Sequence, residues 1–289
     1  MHMYLAARPP FSFSAVADSH GWRQLAPFRG DGEALSYVIR LDSGRVTELN
    51  LAGAGDGADV STADDLAPAE QEEVAATVTW MLGLDQDLSP FYEIAADEPK
   101  LAAAAAGAKG RILRSPTLFE DVIKTILTTN TVWGSTKRMV ANVVNLFGDP
   151  LPADPERRAF PTPAQLAVTD EATLRSDARL GYRAPHVLDL AQRVAAGALD
   201  LEALRTSDLP TPELRKRLLS LKGVGPYAVA NLLMLLGRYD AIPIDSWALS
   251  VVSKEWHDGA RVGPAEVEAA FDRWGEWKGL AFWFWDYAR

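Results

Sequence analysis

Cysteine is absent from the 289 residues of this chain. The absence excludes disulfides, thiol catalysis, and zinc or iron–sulfur sites that depend on cysteine ligands. Histidine is scarce as well, because only four occur, at positions 2, 20, 186 and 257. They are too scattered to suggest a metal site. We therefore predict no cofactor and no metal centre built from these side chains.

The chain also lacks a long apolar run and a secretory signal. We therefore expect no membrane partner and a soluble, cytoplasmic protein, nucleoid-associated if the source is bacterial. Positive charge is in deficit, with 29 Lys and Arg against 39 Asp and Glu. Residues 56–98 contain no Lys or Arg, whereas basic residues gather at 109–114, 137–138 and 215–222. Such local basic surfaces bind phosphates with modest, salt-sensitive affinity even when the total charge is negative.

A glycine hairpin and two helices are predicted within one segment of the chain. Thr211 as N-cap and Pro212 after it favour the start of a first helix. Pro226 and Gly237 fit the start and the end of a second helix. The sequence therefore predicts a helix–hairpin–helix unit at residues 211–237.

The hairpin itself, L-K-G-V-G, has the properties of an anion site. Gly223 and Gly225 permit backbone angles and close approaches that a side chain forbids. We expect the amides around Val224, Gly225 and Tyr227 to point outward at a helix N-terminus, where the helix dipole is positive. Lys222 adds attraction for anions. The segment therefore predicts DNA-phosphate contacts by Lys222, Gly223, Val224 and Gly225.

The hairpin L-K-G-V-G and the string I-P-I-D, which ends at Asp245, together resemble the helix-hairpin-helix (HhH-GPD) superfamily of DNA glycosylases. The resemblance implies a mainly α fold, with a helical glycosylase domain at 67–289 preceded by a small α+β sheet domain at 1–66. It implies base-excision repair of double-stranded DNA that contains a damaged base, by a monomer. Asp245 is the implied catalytic residue, and a monovalent cation at the hairpin is compatible with the family. A plain N-cap role for Asp245 is the alternative, and the two roles can coexist.

Periodicity predicts further elements. Residues 35–41 and 45–51 are rich in β-branched side chains and predict a β-hairpin, whereas the acidic, Gly-rich residues 52–65 predict a loop or hairpin tip. Apolar spacing and capping signals predict helices at 68–84, 101–106, 115–127, 184–194, 246–256 and 264–274.

Two other strings, T-T-N at 128–130 and L-G-Y-R-A at 180–184, resemble the 8-oxoguanine branch of the superfamily. By that resemblance, Asn130 fills the gap that a flipped-out base leaves in the duplex, and Trp133 wedges or stacks nearby. Arg183 is expected next to a DNA phosphate. Helix capping by Asn130, core packing by Trp133 and structural bracing by Arg183 are the alternatives.

Tyr227 distinguishes between the branches. Bifunctional members place a lysine there, which attacks the sugar and nicks the strand through a Schiff base, and tyrosine cannot form that imine. Tyr227 instead resembles the pocket aromatic of the 3-methyladenine branch, where a ring stacks against a cationic alkylated base. Trp247 and Trp283 are expected in the same base pocket.

We therefore predict a monofunctional hydrolase, similar to DNA-3-methyladenine glycosylase II, that releases alkylated purines and leaves an abasic site. An 8-oxoguanine-type glycosylase and a non-catalytic DNA-binding or lesion-sensing protein are the alternatives. The hairpin is common to all three readings, so Asp245 is the feature that favours an enzyme.

Overall fold

The computed structural model describes residues 1–285. The chain forms two compact units, of which the first comprises Met1–Asp87 and Arg111–Arg205 and the second comprises Leu88–Gly110 and Thr206–Arg289. The boundary predicted between residues 66 and 67 lies between a strand that ends at Ser61 and a helix that begins at Pro68. That division into domains stays a prediction.

Across residues 1–285 the fold is mainly helical, as predicted. The α-helices, numbered in chain order, are α1 (Phe13–Ala17), α2 (Pro68–Leu82), α3 (Ser89–Ala96), α4 (Ala102–Ala106), α5 (Leu118–Thr128), α6 (Trp133–Phe147), α7 (Pro163–Ala167), α8 (Glu171–Ser176), α9 (Ala184–Ala195), α10 (Thr211–Leu219), α11 (Pro226–Leu235), α12 (Ser246–Trp256), α13 (Pro264–Phe271) and α14 (Lys278–Trp283). Short 3₁₀ turns lie at Gly21–Gln24, Gly181–Arg183, Glu202–Leu204 and Asp272–Trp277.

The first unit contains an antiparallel sheet in the order β1-β5-β4-β3-β2. Its strands are β1 (His2–Ala6), β2 (Arg29–Gly30), β3 (Ala34–Arg40), β4 (Val46–Ala54) and β5 (Gly57–Ser61). The predicted β-hairpin is confirmed, because Leu35 pairs with Leu51 and Ile39 with Thr47. The loop predicted for 52–65 is wrong in part, because β4 continues to Ala54 and pairs with β5. Glycine and aspartate disfavour strands locally, but pairing on both sides of β5 overrides that preference.

A second, two-stranded ribbon consists of β6 (Pro150–Leu151) and β7 (Asp154–Arg158). It was not predicted, because the proline and the charged residues in these strands are uncommon in strand sequences. Leu151 and Ala159 pack on Val38 of the large sheet. Arg157 forms an ion pair with Glu48 and donates to the Ser36 hydroxyl at 3.0 Å.

Helix α5 lies at the centre of the first unit. Its predicted apolar face is confirmed by the burial of Phe119, Val122, Ile123, Ile126 and Leu127. The helix begins at Leu118, three residues later than predicted, because the Thr117 hydroxyl caps it by accepting from the Glu120 amide at 3.2 Å. Thr117 and Glu120 also have the spacing of a capping box, but the Glu120 side chain contacts Lys124 and Tyr37 instead.

Polar groups of α5 are buried together with that apolar face. Lys124 is fully buried and lies 2.6 Å from the Glu120 carboxylate, which also accepts the Tyr37 hydroxyl at 2.6 Å. Asp121 Oδ1 accepts the Trp22 indole N–H at 2.7 Å and the Ser115 amide at 3.1 Å. Burial raises the pKa of Asp121 to about 7.

Two arginines of the predicted basic cluster at 109–114 are internal. The Arg111 guanidinium is 1% exposed. It donates to four backbone carbonyls, those of Arg8, Pro10, Gly83 and Gln86. Arg114 is 3% exposed, stacks on Trp80 and donates to the Trp80 carbonyl. A sequence count of charges does not register burial, so the prediction of a phosphate-binding face was wrong for these two residues.

In the second unit, α10 and α11 form the predicted helix pair. Pro210, not Thr211, is the N-cap of α10, so that predicted start was one residue late. Pro226 opens α11 as predicted, and Gly237 follows its end with a φ of +74°. Helix α14 approaches the chain after α11 so closely that the Gly279 amide donates to the Tyr239 carbonyl at 2.6 Å. Among residues 1–285 no helix is long and apolar enough to cross a bilayer.

Candidate functional site

The hairpin between α10 and α11 is a tight turn. The Val224 amide donates to the Leu221 carbonyl at 3.1 Å, and Gly223 has a φ of +82°, which favours glycine. Gly225 has a φ of −93°, which any residue can adopt, and a Cβ there would meet no other atom of the protein within 4 Å. Neither the backbone angle nor the space inside the protein therefore requires glycine at this position. Gly223, Gly225 and Lys222 are exposed, as a contact with phosphate requires. DNA binding by these three residues stays a prediction.

Val224 differs from its expected role. Its amide closes the turn and its side chain is only 5% exposed. The prediction of an outward Val224 amide was therefore wrong, because the turn that gives the hairpin its shape uses that N–H. Val224 instead anchors the hairpin by packing.

Asp245 is the N-cap of α12. Its Oδ1 accepts the amides of Trp247 and Ala248, both at 2.9 Å. The side chain is exposed, and no donor among residues 1–285 bonds its second oxygen. One oxygen therefore fixes the orientation of the carboxylate while the other remains available to water or to a ligand. The capping role is confirmed, and the catalytic role stays a prediction.

Tyr227 lies near Asp245. Partial burial raises the pKa of the Tyr227 phenol above its usual value, and the negative charge of Asp245 raises it further. The phenol is therefore a weak proton donor at neutral pH. Tyr227 is 39% exposed and Trp247 is 48% exposed, so both rings present apolar surface to solvent. Trp247 also contacts Phe282, with ring centroids 5.0 Å apart.

Trp283 lies half-buried on α14. The structure thus gathers Tyr227, Asp245 and Trp247 around the start of α12, and the place of Trp283 in a base pocket stays a prediction.

A cavity of about 410 Å³ adjoins Tyr227 within the second unit. Ile244, directly before Asp245, contributes to its wall, and Arg215 and Glu268 are its charged lining residues. Sequence reasoning missed these three residues, because α10, the 241–244 segment and α13 are brought together only by the fold. The basic run at 215–222 and the string I-P-I-D contain Arg215 and Ile244, but neither pattern places these residues at a cavity.

Asn130 occupies an exposed turn after α5 in the first unit. Its φ of +48° is left-handed, and the residue lies one position beyond Thr129, which is the C-cap of α5 in place of Asn130. Its side-chain amide donates to the Tyr182 hydroxyl at 3.2 Å. The residue is therefore held in place yet accessible, and its role in filling a gap in DNA stays a prediction.

Arg183 and Trp133 support that turn rather than extend from it. Arg183 is 6% exposed, donates to the carbonyls of Thr129 and Asn130, and stacks on Tyr182 at 4.4 Å. The indole N–H of Trp133 donates to Gln24 at 2.9 Å, and its ring lies against Gly21, where a side chain would overlap it. These contacts favour the structural alternatives for both residues.

Metal chemistry has little support in the side chains. No group of three or more His, Asp or Glu residues among residues 1–285 is arranged to hold a metal ion. The sequence also led us to expect a monovalent cation at the hairpin. That cation stays a prediction.

The hairpin between two helices, followed by an aspartate that caps the next helix, defines a helix–hairpin–helix protein. Residues 123–276 match the HhH-GPD superfamily of base excision DNA repair proteins, and the chain belongs to that family.

Two curated relatives carry related names. DNA-3-methyladenine glycosylase of Bacillus subtilis is 28% identical over 233 residues, which cover 77% of this chain and 75% of that protein. DNA-3-methyladenine glycosylase 2 of Escherichia coli is 26% identical over 288 residues, covering 96% and 89%.

Solved structures share the fold. A 3-methyladenine DNA-glycosylase from Archaeoglobus fulgidus superposes with a TM-score of 0.75 at 21% identity, over 98% of this chain and 96% of that one. An 8-oxoguanine glycosylase/lyase from Clostridium acetobutylicum, bound to double-stranded DNA, gives a TM-score of 0.68 at 19% identity, over 92% and 98%. Because both branches share the fold, fold alone does not choose a substrate.

Proposed function

We propose that this protein is a monofunctional DNA glycosylase that releases alkylated purines from double-stranded DNA. The observation that carries the proposal is the geometry of Asp245, whose carboxylate is fixed by two amides through one oxygen and, within residues 1–285, unbonded at the other. A helix cap needs only the first feature. An exposed, oriented carboxylate beside the anion-binding type of hairpin is suited to stabilising a cationic sugar.

The reaction follows from this placement. The bond between C1′ of the deoxyribose and the base nitrogen breaks, its electron pair leaves with the base, and positive charge develops on the sugar. The Asp245 carboxylate stabilises that charge and orients a water, whose oxygen bonds C1′ and whose proton is released. The products are an abasic site and the released base, which is reached only after it has been flipped from the stack.

A cationic leaving group suits the surroundings of Asp245. An N-alkylated purine such as 7-methylguanine carries a positive charge and leaves as a neutral base, so it needs no proton donor. A neutral lesion such as 8-oxoguanine leaves less readily without one, and Tyr227 with its raised pKa is a poor donor. The exposed Tyr227 ring also offers a cation–π surface to an alkylated base. The names of the two curated relatives agree with this choice.

The test compares the protein with Asp245→Asn on duplexes that carry one 7-methylguanine, 3-methyladenine, hypoxanthine or 8-oxoguanine. Asparagine caps a helix as well as aspartate does, so the variant should keep its melting temperature. We expect its rate of base release to fall by at least about 100-fold, because the negative charge is lost. Asp240→Asn, an exposed neighbour, removes the same charge and should keep the wild-type rate.

Strand breaks are read with and without hot alkali. Breaks only after alkali identify a monofunctional enzyme, whereas breaks without alkali would show an unrecognised lyase nucleophile and overturn that part of the proposal. Binding of DNA without release from any lesion would leave the non-catalytic alternative. The expected location with the genome, in the cytoplasm and on a bacterial nucleoid, and the monomeric state stay predictions.

A further inference from the structure

Two neighbouring turns in the first unit hold a cluster of left-handed residues. Asn130 has a φ of +48°, Arg179 of +58° and Gly181 of +57°. The two turns meet through the Asn130–Tyr182 hydrogen bond and through Arg183, which donates to the Asn130 carbonyl at 3.3 Å. Glycine and asparagine adopt this backbone region readily, but arginine does so rarely.

Arg179 is therefore unusual for its position. A glycine would adopt the same backbone angle without strain. The Arg179 side chain is exposed, and no packing inside the protein accounts for it. A strained, solvent-facing residue of this kind points to a role for the side chain outside the folded protein.

The charge of Arg179 is also unmatched. Nearly every Lys and Arg of the first unit, which is fully described, bonds a carboxylate or a backbone carbonyl. The exceptions are Arg29, Lys137, Arg138 and Arg179. Three of these four lie on the two turns or on the first half of α6, which begins three residues after Asn130. In a chain of net charge −10, such a cluster of unpaired cations indicates an anionic partner.

Arg138 lies on the face of α6 that contacts the turn of Arg179. The Asn142 side chain of α6 donates to the Ala178 carbonyl at 3.2 Å, which brings that point of the helix next to Arg179. Arg138 lies one turn before Asn142, a rise of about 6 Å, on the same face of α6. Arg179 in turn is three residues from Tyr182, at most about 11 Å along the chain.

We propose that Arg179 binds a backbone phosphate of duplex DNA, with Arg138 as its neighbour on the same strand. The inference rests on the proposed function, because it takes DNA as the partner. The sequence had predicted that Arg183 contacts a DNA phosphate. In this proposal Arg179 makes that contact, and Arg183 is a positioning residue that holds the Asn130 carbonyl. The Arg179 side chain is exposed and therefore accessible to a phosphate.

The experiment measures binding to an undamaged duplex by fluorescence anisotropy between about 50 and 200 mM salt. Arg179→Ala should weaken binding several-fold at low salt and lower the slope of log Kd against log salt by about 0.9, the loss of one phosphate contact. Arg175→Ala is the matched control, since it removes the same charge from a side chain that is paired with Glu171. It should leave the slope unchanged.

Arg179→Gly separates binding from folding. Glycine relieves the left-handed strain, so the variant should melt at or above the wild-type temperature while binding DNA as weakly as Arg179→Ala. A lower melting temperature for Arg179→Gly would show a structural role and overturn the proposal. An unchanged salt slope for Arg179→Ala would overturn it as well.

The measurements distinguish failure of the proposed phosphate contact at Arg179 from failure of the proposed glycosylase activity. The duplex carries no lesion, so loss of slope in Arg179→Ala would stand even if no base were ever released. Conversely, normal base release by the wild type together with an unchanged slope in Arg179→Ala would refute the phosphate contact alone.

Discussion

Asp245 shows how one side chain combines a structural and a chemical task. Its two hydrogen bonds to Trp247 and Ala248 use a single oxygen. Because the capping bonds lock the rotamer, the second oxygen has a defined direction without the need for any other support. An enzyme gains from this arrangement, since a carboxylate fixed before the reaction needs no reorganisation when charge develops.

Substitution of Tyr227 tests whether the ring binds a positively charged base. Tyr227→Leu should lower the release of 7-methylguanine by about 5- to 30-fold, because a desolvated cation–π contact is worth about 1–2 kcal/mol. Tyr227→Phe keeps the ring and should stay within about threefold of the wild type. Release rates for 7-methylguanine and for neutral hypoxanthine are compared, and equal losses for both would contradict a role in binding the cation.

Asp121 predicts a pH dependence of stability. Its folded pKa of about 7 lies above the ordinary value of 3.8, so between these limits the folded protein retains a proton that the unfolded chain releases. This contribution favours folding at low pH and is lost as the pH rises toward 7, by about 1.4 kcal/mol per pH unit. Asp121→Asn keeps the acceptor for Trp22 and Ser115 but removes the ionisation.

The measurement is the free energy of unfolding of both proteins between pH 4.5 and 7.5. As the pH rises, the free energy of unfolding of the variant should increase relative to that of the wild type. The difference between the two proteins gives the contribution of the Asp121 ionisation. This matters because His20, whose pKa burial lowers to about 3, acts in the opposite direction below pH 6.5. Asp85→Asn, at an exposed carboxyl, is the control. A pH-independent difference between Asp121→Asn and the wild type would contradict the prediction.

At the scale of elements, α14 determines the path of the chain that leads to Asp245. A Cβ on Gly279 would lie 2.6 Å from the Ala241 carbonyl and 2.7 Å from that of Tyr239. Gly279→Ala must therefore push this segment away, at a cost of about 1–3 kcal/mol. We expect a lower melting temperature together with slower base release, measured on 7-methylguanine duplexes.

Gly134→Ala is the matched control for that substitution. Gly134 lies in α6, and a Cβ there meets nothing within 4 Å. Alanine is the better helix former by about 1 kcal/mol, so this variant should melt above the wild type. If both glycine variants shifted the melting temperature in the same direction, close contact at Gly279 would not be the cause.

Elements with a strong local signal could be predicted from sequence. Helices α2, α9 and α12 match their predicted ranges within two residues, because proline and capping residues fix their ends. Strand β5 and the β6–β7 ribbon could not be predicted, since their glycine, proline and charges give no strand pattern. Their formation depends on partners distant in sequence.

The candidate site divides in the same way. The hairpin and Asp245 are contiguous motifs, so sequence identified them. The burial of Arg183 is a product of tertiary contact, as is the wall that Glu268 adds to the cavity beside Tyr227. The turn-closing bond of Val224 is local, but the motif does not show which amide of the hairpin it uses. Motifs locate such residues along the chain but do not reveal which way they point.

For DNA binding by the whole molecule, the distribution of charge over the surface matters more than the net charge. Outside the hairpin, eight exposed cations form no ion pair within residues 1–285. Three lie on the α6 and Arg179 surface of the first unit, two lie on α10 beside the hairpin and three lie elsewhere; they are Lys137, Arg138, Arg179, Arg215, Arg217, Arg29, Lys254 and Arg261. Each phosphate contact adds about 0.9 to the slope of log Kd against log salt. If the cations on α6, at Arg179 and on α10 contact DNA together with Lys222, six in all, we expect a slope magnitude of at most about 5.4 for wild-type protein on undamaged duplex. A steeper slope would show that further cations of the chain also contact DNA.

The order of the two units along the chain has a consequence for synthesis and dissection. The chain passes between the units three times, after Asp87, Gly110 and Arg205. No single cut releases either unit intact, because a fragment that starts at Thr206 lacks 88–110 of its own unit. On the ribosome, residues 88–110 are the first part of the second unit to be made. About a hundred further residues follow before the rest of that unit, which begins at Thr206, is synthesised. The short helices α3 and α4 are thus present on the nascent chain before most of their own unit is made, and a chaperone or protease meets them in that interval.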